Sequence, residues 1–342
     1  MTWDRAEGFP PRLDPPRLRG PMLGYLIQRL LQSIIVILCV TFVVFVIMYH
    51  SGDPVELLLP PEATPLQAEE LRHHLGLDKP FHAQYVTFLK NALRGDLGTS
   101  FIFNQPAIKL VVERIPATLE LALFAMFLAV LMGIPAGIVT AIRPKSFLSK
   151  SIMSGSLLGI SLPVFWLGIM LVMIFSVILG WLPSSGRGET AVVWGVRIGF
   201  VTPSGFVHLI LPALTIAIFQ LALIIRLVRA GMMEVLLQDF VKFLKAKGLP
   251  EKRIVFVHAL KNILIPVVTI IGLQLGNIIA FAIVTESIFA WPGMGKLVID
   301  SIHNLDQPVV LAYLLVVSLI FVFLNLIVDI IYTFLDPRIR LR

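Results

Sequence analysis

Cysteine is almost missing from this chain. Cys39 stands alone in 342 residues, inside an apolar run, which excludes an internal disulfide and a cysteine metal cluster. Charge is scarce as well: 14% of residues are charged against 57% hydrophobic, too few to cover the surface of a water-soluble domain. No hydroxyl, base and acid fall at a recognisable catalytic spacing, which argues against an intramembrane enzyme. Gly293, Gly295 and Lys296 do not make a phosphate loop, because Ala290 stands where that pattern needs glycine and Leu297 where it needs Ser or Thr. The net charge of +7 is spread between apolar runs rather than gathered in a stripe, so nucleic acid is not the implied partner. No internal repeat is evident, and the first apolar run starts late and lacks a small-residue cleavage site, so it reads as a retained helix.

What is present is a series of long apolar runs, at 25–49, 117–142, 152–179, 209–228, 263–285 and 309–335. Each is long enough to cross a hydrocarbon layer of ~30 Å at 1.5 Å per residue. The expectation is an all-α polytopic membrane protein with six spans. Residues 1–24 form a Pro/Arg-rich tail, 50–115 a polar helical subdomain outside, 116–335 the core membrane domain, and 336–342 a short second tail. Within the outside subdomain, Thr64, Pro65 and Gln67 supply an N-cap, a first-turn proline and a capping-box partner for a helix ending near Gly76. Lys and Arg concentrate on the side of the termini: Arg12, Arg17, Arg19 and Arg29, then Arg143, Lys145 and Lys150, the segment from Arg226 to Lys261, and Arg338, Arg340 and Arg342. The shorter loops opposite hold only Arg187, Arg197 and Lys296, which predicts a multi-pass protein with both termini cytoplasmic. Trp181, Trp291 and Tyr313 fall at outer helix ends, where amphipathic rings suit the lipid interface.

Between the fourth and fifth spans lies a polar stretch of roughly thirty residues, longer than most helix connections. Over 234–262 it reads helix, stop, helix. Phe240, Phe243 and Leu244 are apolar among Lys242, Lys245 and Lys247, Gly248 is set to end the first helix in a left-handed conformation, and Pro250 and Glu251 open the second. Periodicity alone supports two roles equally: docking a partner, or lying as a basic amphipathic helix on anionic lipid.

The residues Phe240 to Leu249 (FVKFLKAKGL), followed by His258, Ala259, Leu260, Lys261, Asn262 and Pro266, resemble the cytoplasmic signature loop of binding-protein-dependent ABC importer permeases of the peptide and nickel branch. Phe240 and Leu244 depart from that pattern, while the Gly248 to His258 spacing is kept. Three further stretches resemble the same branch: Gly95 to Ser100 (GDLGTS), Leu162 to Leu167 (LPVFWL) and Glu286 to Gly295 (ESIFAWPGMG). The resemblance implies a type I ABC importer permease fold in a bacterial inner membrane, importing dipeptides or oligopeptides, with glutathione or nickel as alternative cargo. It also implies a second homologous permease, two cytoplasmic ATPase subunits that bind ATP and Mg²⁺, and an extracytoplasmic solute-binding protein, with membrane lipid around the spans. No cofactor is expected in this chain, which would hydrolyse nothing itself. The residues implied to couple to the ATPase are Glu234, Asp239, Phe240, Lys245, Ala246, Lys247, Gly248, Leu249, His258 and Asn262.

Ser161, Thr269, Gln274, Asn277 and Glu286 are polar residues in or beside apolar runs and are candidates for a translocation path. Hydrogen bonds between helices would account for them equally well. Arg226 and Arg229 can snorkel to headgroups, and Asp329 can pair with a nearby cation, without any part in transport. His73, His74 and His82 lack a Cys or carboxylate set, so no metal site is assigned. The competing reading is an ion-coupled secondary transporter, for which Glu286 is the outward-half candidate.

Overall fold

The computed structural model describes residues 22–60 and 63–335. Most of the expected tails, including Arg12, Arg17, Arg19, Arg338, Arg340 and Arg342, lies outside the described residues, as do the side chains of Arg29 and Asp329.

The chain is built from helices α1 (Met22–Ser51), α2 (Pro54–Leu58), α3 (Pro65–Leu75), α4 (Phe81–Ala92), α5 (Ala107–Ile142), α6 (Phe147–Ser161) and α7 (Val164–Leu171). A π-helical turn, Val172–Ile178, extends α7 before a small hairpin of β1 (Ala191–Val193) and β2 (Val196–Ile198). Then come α8 (Pro203–Leu236), α9 (Asp239–Ala246), α10 (Glu251–Arg253), a π turn over Ile254–Ala259, α11 (Leu260–Phe281), α12 (Ile283–Ile288), α13 (Met294–His303) and α14 (Gln307–Leu335).

Local sequence chemistry sets many of these boundaries. Thr64 caps α3 in a capping box: its backbone N–H donates to Gln67 Oε1 at 2.9 Å and its Oγ1 accepts from Gln67 N–H at 3.4 Å. Gly76 closes the same helix at φ +71°. Thr202 caps α8 ahead of Pro203, and Ser146 caps α6. The hairpin turns on Trp194 and Gly195, at φ +51° and +81°, as a two-residue turn with both central residues left-handed requires.

Long-range packing centres on α5 and α8. Ala125, Ala129, Gly133 and Gly137 recur every fourth residue along the buried face of α5. A Cβ at Gly133 would meet Ile224 at 2.8 Å and one at Gly137 would meet Val228 at 2.6 Å, so small residues are what let the two helices approach. α11 packs on α14, and α6 and α7 lie on α8. Outside this bundle, Phe81 and Tyr85 of α4 meet Phe42 and Phe45 of α1 edge to face.

Among the described residues four helices are long and apolar enough to cross a membrane: Ala107–Ile142, Pro203–Leu236, Glu251–Phe281 and Gln307–Val328. The stretch expected as a span at 152–179 is bent. It breaks between Ser161 and Val164 with a bend of 108°, because Pro163 holds Leu162 in an extended conformation, φ −83° and ψ 132°. The expected span at 263–285 ends earlier, at Phe281, and Ile283–Ile288 forms a separate helix. The polar stretch between the fourth and fifth runs is also shorter than it reads. α8 continues to Leu236, and helical backbone resumes at Glu251, leaving residues 237–250, with α9 among them, as the connection.

Candidate functional site

Three regions bring polar chemistry together. The first is the loop between α8 and α10. Gly248, at φ +78°, ends α9 with two hydrogen bonds: its own N–H donates to Lys245 O at 2.9 Å, and Leu249 N–H donates to Leu244 O at 3.2 Å. That pair of bonds is a Schellman stop, and Pro250 then caps the next helix. Val241 is buried and anchors α9, while Phe240 packs partly against the core. The opposite face is free: Asp239, Phe243, Lys245, Ala246 and Lys247 are exposed. Lys242 pairs with Asp239 at 2.8 Å, and Lys247 lies over the Phe243 ring at 4.6 Å. Glu234 is exposed on the last turn of α8. Asn262 is exposed one turn past His258 and donates to its carbonyl. These residues form one exposed edge of loop and adjoining helix ends, and a Cβ at Gly248 would meet nothing within 4 Å.

The second region surrounds Glu286, which is fully buried. Its Oε1 accepts from Thr118 Oγ1 at 2.7 Å and its Oε2 from Lys296 N–H at 3.0 Å, while Thr118 Oγ1 accepts from Met294 N–H at 2.9 Å. The carboxylate therefore caps the N-terminus of α13, where free backbone N–H groups favour an anion. Gly293 is required here, since any Cβ on it would overlap the carboxylate. Trp291 is buried beside this cap, its Nε1–H donating to Ala117 O at 2.9 Å. Tyr313 is buried too, with its hydroxyl 3.3 Å from Ala280 O. Both rings are buried against protein, where the expectation had them facing lipid headgroups, whereas Trp181 is largely exposed.

Glu120 belongs to the same wall and was not singled out by the sequence reading. Although it lies inside an apolar run, it is buried in a fork with Arg187, whose Nε donates at 3.1 Å, and it also accepts from Phe200 N–H. The signal was available, because a carboxylate within a span needs a partner. Arg187 also lies over the Trp291 ring at 5.8 Å. Asp306 does comparable work at the start of α14, accepting from Ser100 Oγ and from Phe101 N–H at 3.0 Å. Two of the stretches that carry the resemblance, GDLGTS and ESIFAWPGMG, thus tie loops to helix ends.

The third region is a cavity of about 480 Å³ between α7, α8, α11 and α12, lined by Gln220, Gln274, Asn277 and Thr285 with Val164 and Phe281 among the apolar groups. Of the five path candidates, only Gln274 and Asn277 line it. Ser161 bonds to Leu157 O at 2.8 Å and Thr269 to Ile265 O at 3.0 Å, each within its own helix, and Glu286 is closed off by its cap. His73 reaches only Asp78, at 3.9 Å, and among the described residues no three His, Cys, Asp or Glu side chains converge.

Four long apolar helices, a bent apolar pair and a short exposed helix between two of the long ones define a polytopic helical membrane protein. The chain matches the family described as binding-protein-dependent transport system inner membrane component over residues 133–341, and the N-terminal part of such components over residues 22–122. It belongs to that family. The chain is 39% identical over 332 residues to the dipeptide transport system permease protein DppB of Alkalihalophilus pseudofirmus, covering 93% of this chain and all of the relative. It is 40% identical to the di/tripeptide transport system permease protein DppB of Pseudomonas aeruginosa over 93% and 99% of the two chains, and 38% identical to the glutathione transport system permease protein GsiC of Escherichia coli, with the same coverage. A chain of the inward-facing MetNI methionine ABC transporter superposes with a TM-score of 0.51 at 15% identity, over 66% of this chain and 96% of that one. The fold is that of a type I ABC importer permease, and the chain is a multi-pass inner membrane permease.

Proposed function

We propose that the chain is one of two homologous permeases in an importer that carries dipeptides or oligopeptides, driven by two cytoplasmic ATPase subunits that bind ATP and Mg²⁺ and fed by an extracytoplasmic solute-binding protein. The observation that carries this reading is α9. Its apolar side is fixed by Val241, its end is fixed by the Gly248 stop, and its exposed face joins directly to the ends of two long helices. A short helix held at both ends can transmit a push into the bundle, rocking it between outward-open and inward-open states. The peptide assignment rests on the names of the relatives. Among the described residues lining the cavity none is an imidazole, thiolate or carboxylate, so they offer a bare nickel ion none of its usual ligands there. Ion coupling through Glu286 is disfavoured because the carboxylate is buried and its donors are fixed.

In this reading six spans cross the membrane, with α1 and the bent pair of α6 and α7 joining the four long helices, and both termini lie inside. Purification of the chain in mild detergent tests the partner set: ATPase subunits should copurify, and their absence under conditions that retain the second permease would count against it. In a Cys39→Ser background, Ser185→Cys and Lys79→Cys should react with an impermeant thiol reagent outside intact cells and Lys252→Cys should not. Labelling of Lys252→Cys from outside would overturn the orientation.

A further inference from the structure

The cavity between α7, α8, α11 and α12 contains polar groups that the protein itself leaves unused. Gln220 is 6% exposed and Thr285 is 2% exposed, both line the cavity, and neither side chain has a hydrogen-bond partner among the described residues. The two come from different helices, α8 and α12, so a local turn does not explain them. Neither is among the side chains whose polar atoms are sealed off without a partner, so the Gln220 amide and the Thr285 hydroxyl open onto the cavity and are placed to meet what enters it. Across the cavity, Asn277 Nδ2 donates to Gln274 Oε1 at a long 3.4 Å, which leaves the Gln274 amide nitrogen and the Asn277 carbonyl oxygen available. Among the described residues the lining includes no charged side chain.

We infer that Gln220, Thr285, Gln274 and Asn277 form a neutral hydrogen-bonding station for the peptide bonds of the passing solute. The inference rests on the proposed peptide import and assigns the recognised group. Amides and a hydroxyl each donate and accept, matching the N–H and C=O of a peptide bond. They offer no ion pair to the solute's charged ends or side chains, so peptides of different charge can pass. A station built of neutral groups on several helices also holds its cargo weakly, as a conduit must if the cargo is to leave.

The test uses the complete importer in proteoliposomes with a neutral tripeptide, comparing the parent with Gln220→Met and Thr285→Val, which keep approximate volume while removing the polar groups. Uptake should fall about five- to twenty-fold in each variant, while ATP hydrolysis stimulated by the loaded solute-binding protein stays within twofold of the parent. Peptide moved per ATP therefore falls. The thermal midpoint of the purified complex should be unchanged, since neither side chain makes a hydrogen bond within the described residues. Parent-level uptake in both variants would overturn the station, as would loss of the second permease from the variant complexes, which would make these groups interface contacts. If the parent itself shows no ATP-driven peptide uptake, the importer reading fails and the station with it.

Discussion

Thr118 and Glu286 stand 168 positions apart and share a buried hydrogen bond of 2.7 Å, through which α5 holds the carboxylate that caps α13. The same hydroxyl accepts from Met294 N–H, so one side chain serves both the anion and the helix end it caps. Thr118→Val should leave Met294 N–H unpaired and remove a donor from the carboxylate, at a cost of about 1–3 kcal/mol. Thr118→Ser should recover most of it. Thermal unfolding of the purified complex measures both, and equal midpoints for the Val and Ser variants would contradict the assignment.

Two glycines should behave differently for a spatial reason. A Cβ at Gly293 overlaps the Glu286 carboxylate, whereas a Cβ at Gly248 meets nothing within 4 Å. Gly293→Ala should therefore lower membrane abundance severely, while Gly248→Ala, which meets only the left-handed backbone penalty of about 1–2 kcal/mol, should accumulate normally. Quantitative blotting of membranes decides it, and equal abundance would contradict the cap geometry.

The Glu120–Arg187 pair gives a third outcome. Its side chains are only 3% and 10% exposed, so Arg187→Met leaves an uncompensated buried carboxylate, a loss of about 3–5 kcal/mol. Adding Glu120→Gln should restore much of the stability. A double variant that loses as much stability as the two single changes added together, or more, would show that the pair is not coupled in this way.

The parts legible in the sequence were those fixed by neighbours along the chain. Thr64, Gln67 and Gly76 bound α3, and Gly248 with Pro250 marks the stop and restart between α9 and α10, because caps and left-handed turns depend on a few adjacent residues. The break at Pro163 was equally local, but its signal was outweighed by the length of the apolar run. The roles of Glu286, Trp291 and Tyr313 were not legible, since each depends on partners far away in the chain: Thr118, Ala117 and Ala280. Hydropathy placed these residues near helix ends and could not tell an interface or a path from a buried tie. Gln220 was hidden for the same reason, being one amide in a long apolar helix whose meaning comes from the cavity it lines.

The coupling role proposed for α9 is tested by Gly248→Val. A β-branched residue strongly disfavours φ +78°, and strain of about 1–3 kcal/mol carried by the docked state alone would weaken docking roughly tenfold or more. The variant should reach normal membrane abundance, lose ATPase subunits on purification and lose solute-stimulated ATP hydrolysis. Parent-level retention and hydrolysis would make α9 a lipid-surface helix instead.

The most direct measurement of the central claim is uptake of a labelled dipeptide by the complete importer in proteoliposomes, with ATP and Mg²⁺ supplied on the side of α9. Uptake should require hydrolysable ATP and continue at the same rate when proton and sodium gradients are collapsed, and Glu286→Gln should change its rate only in proportion to the complex that remains folded. Uptake that proceeds without ATP, follows the proton gradient and is abolished by Glu286→Gln in a fully folded complex would contradict the account.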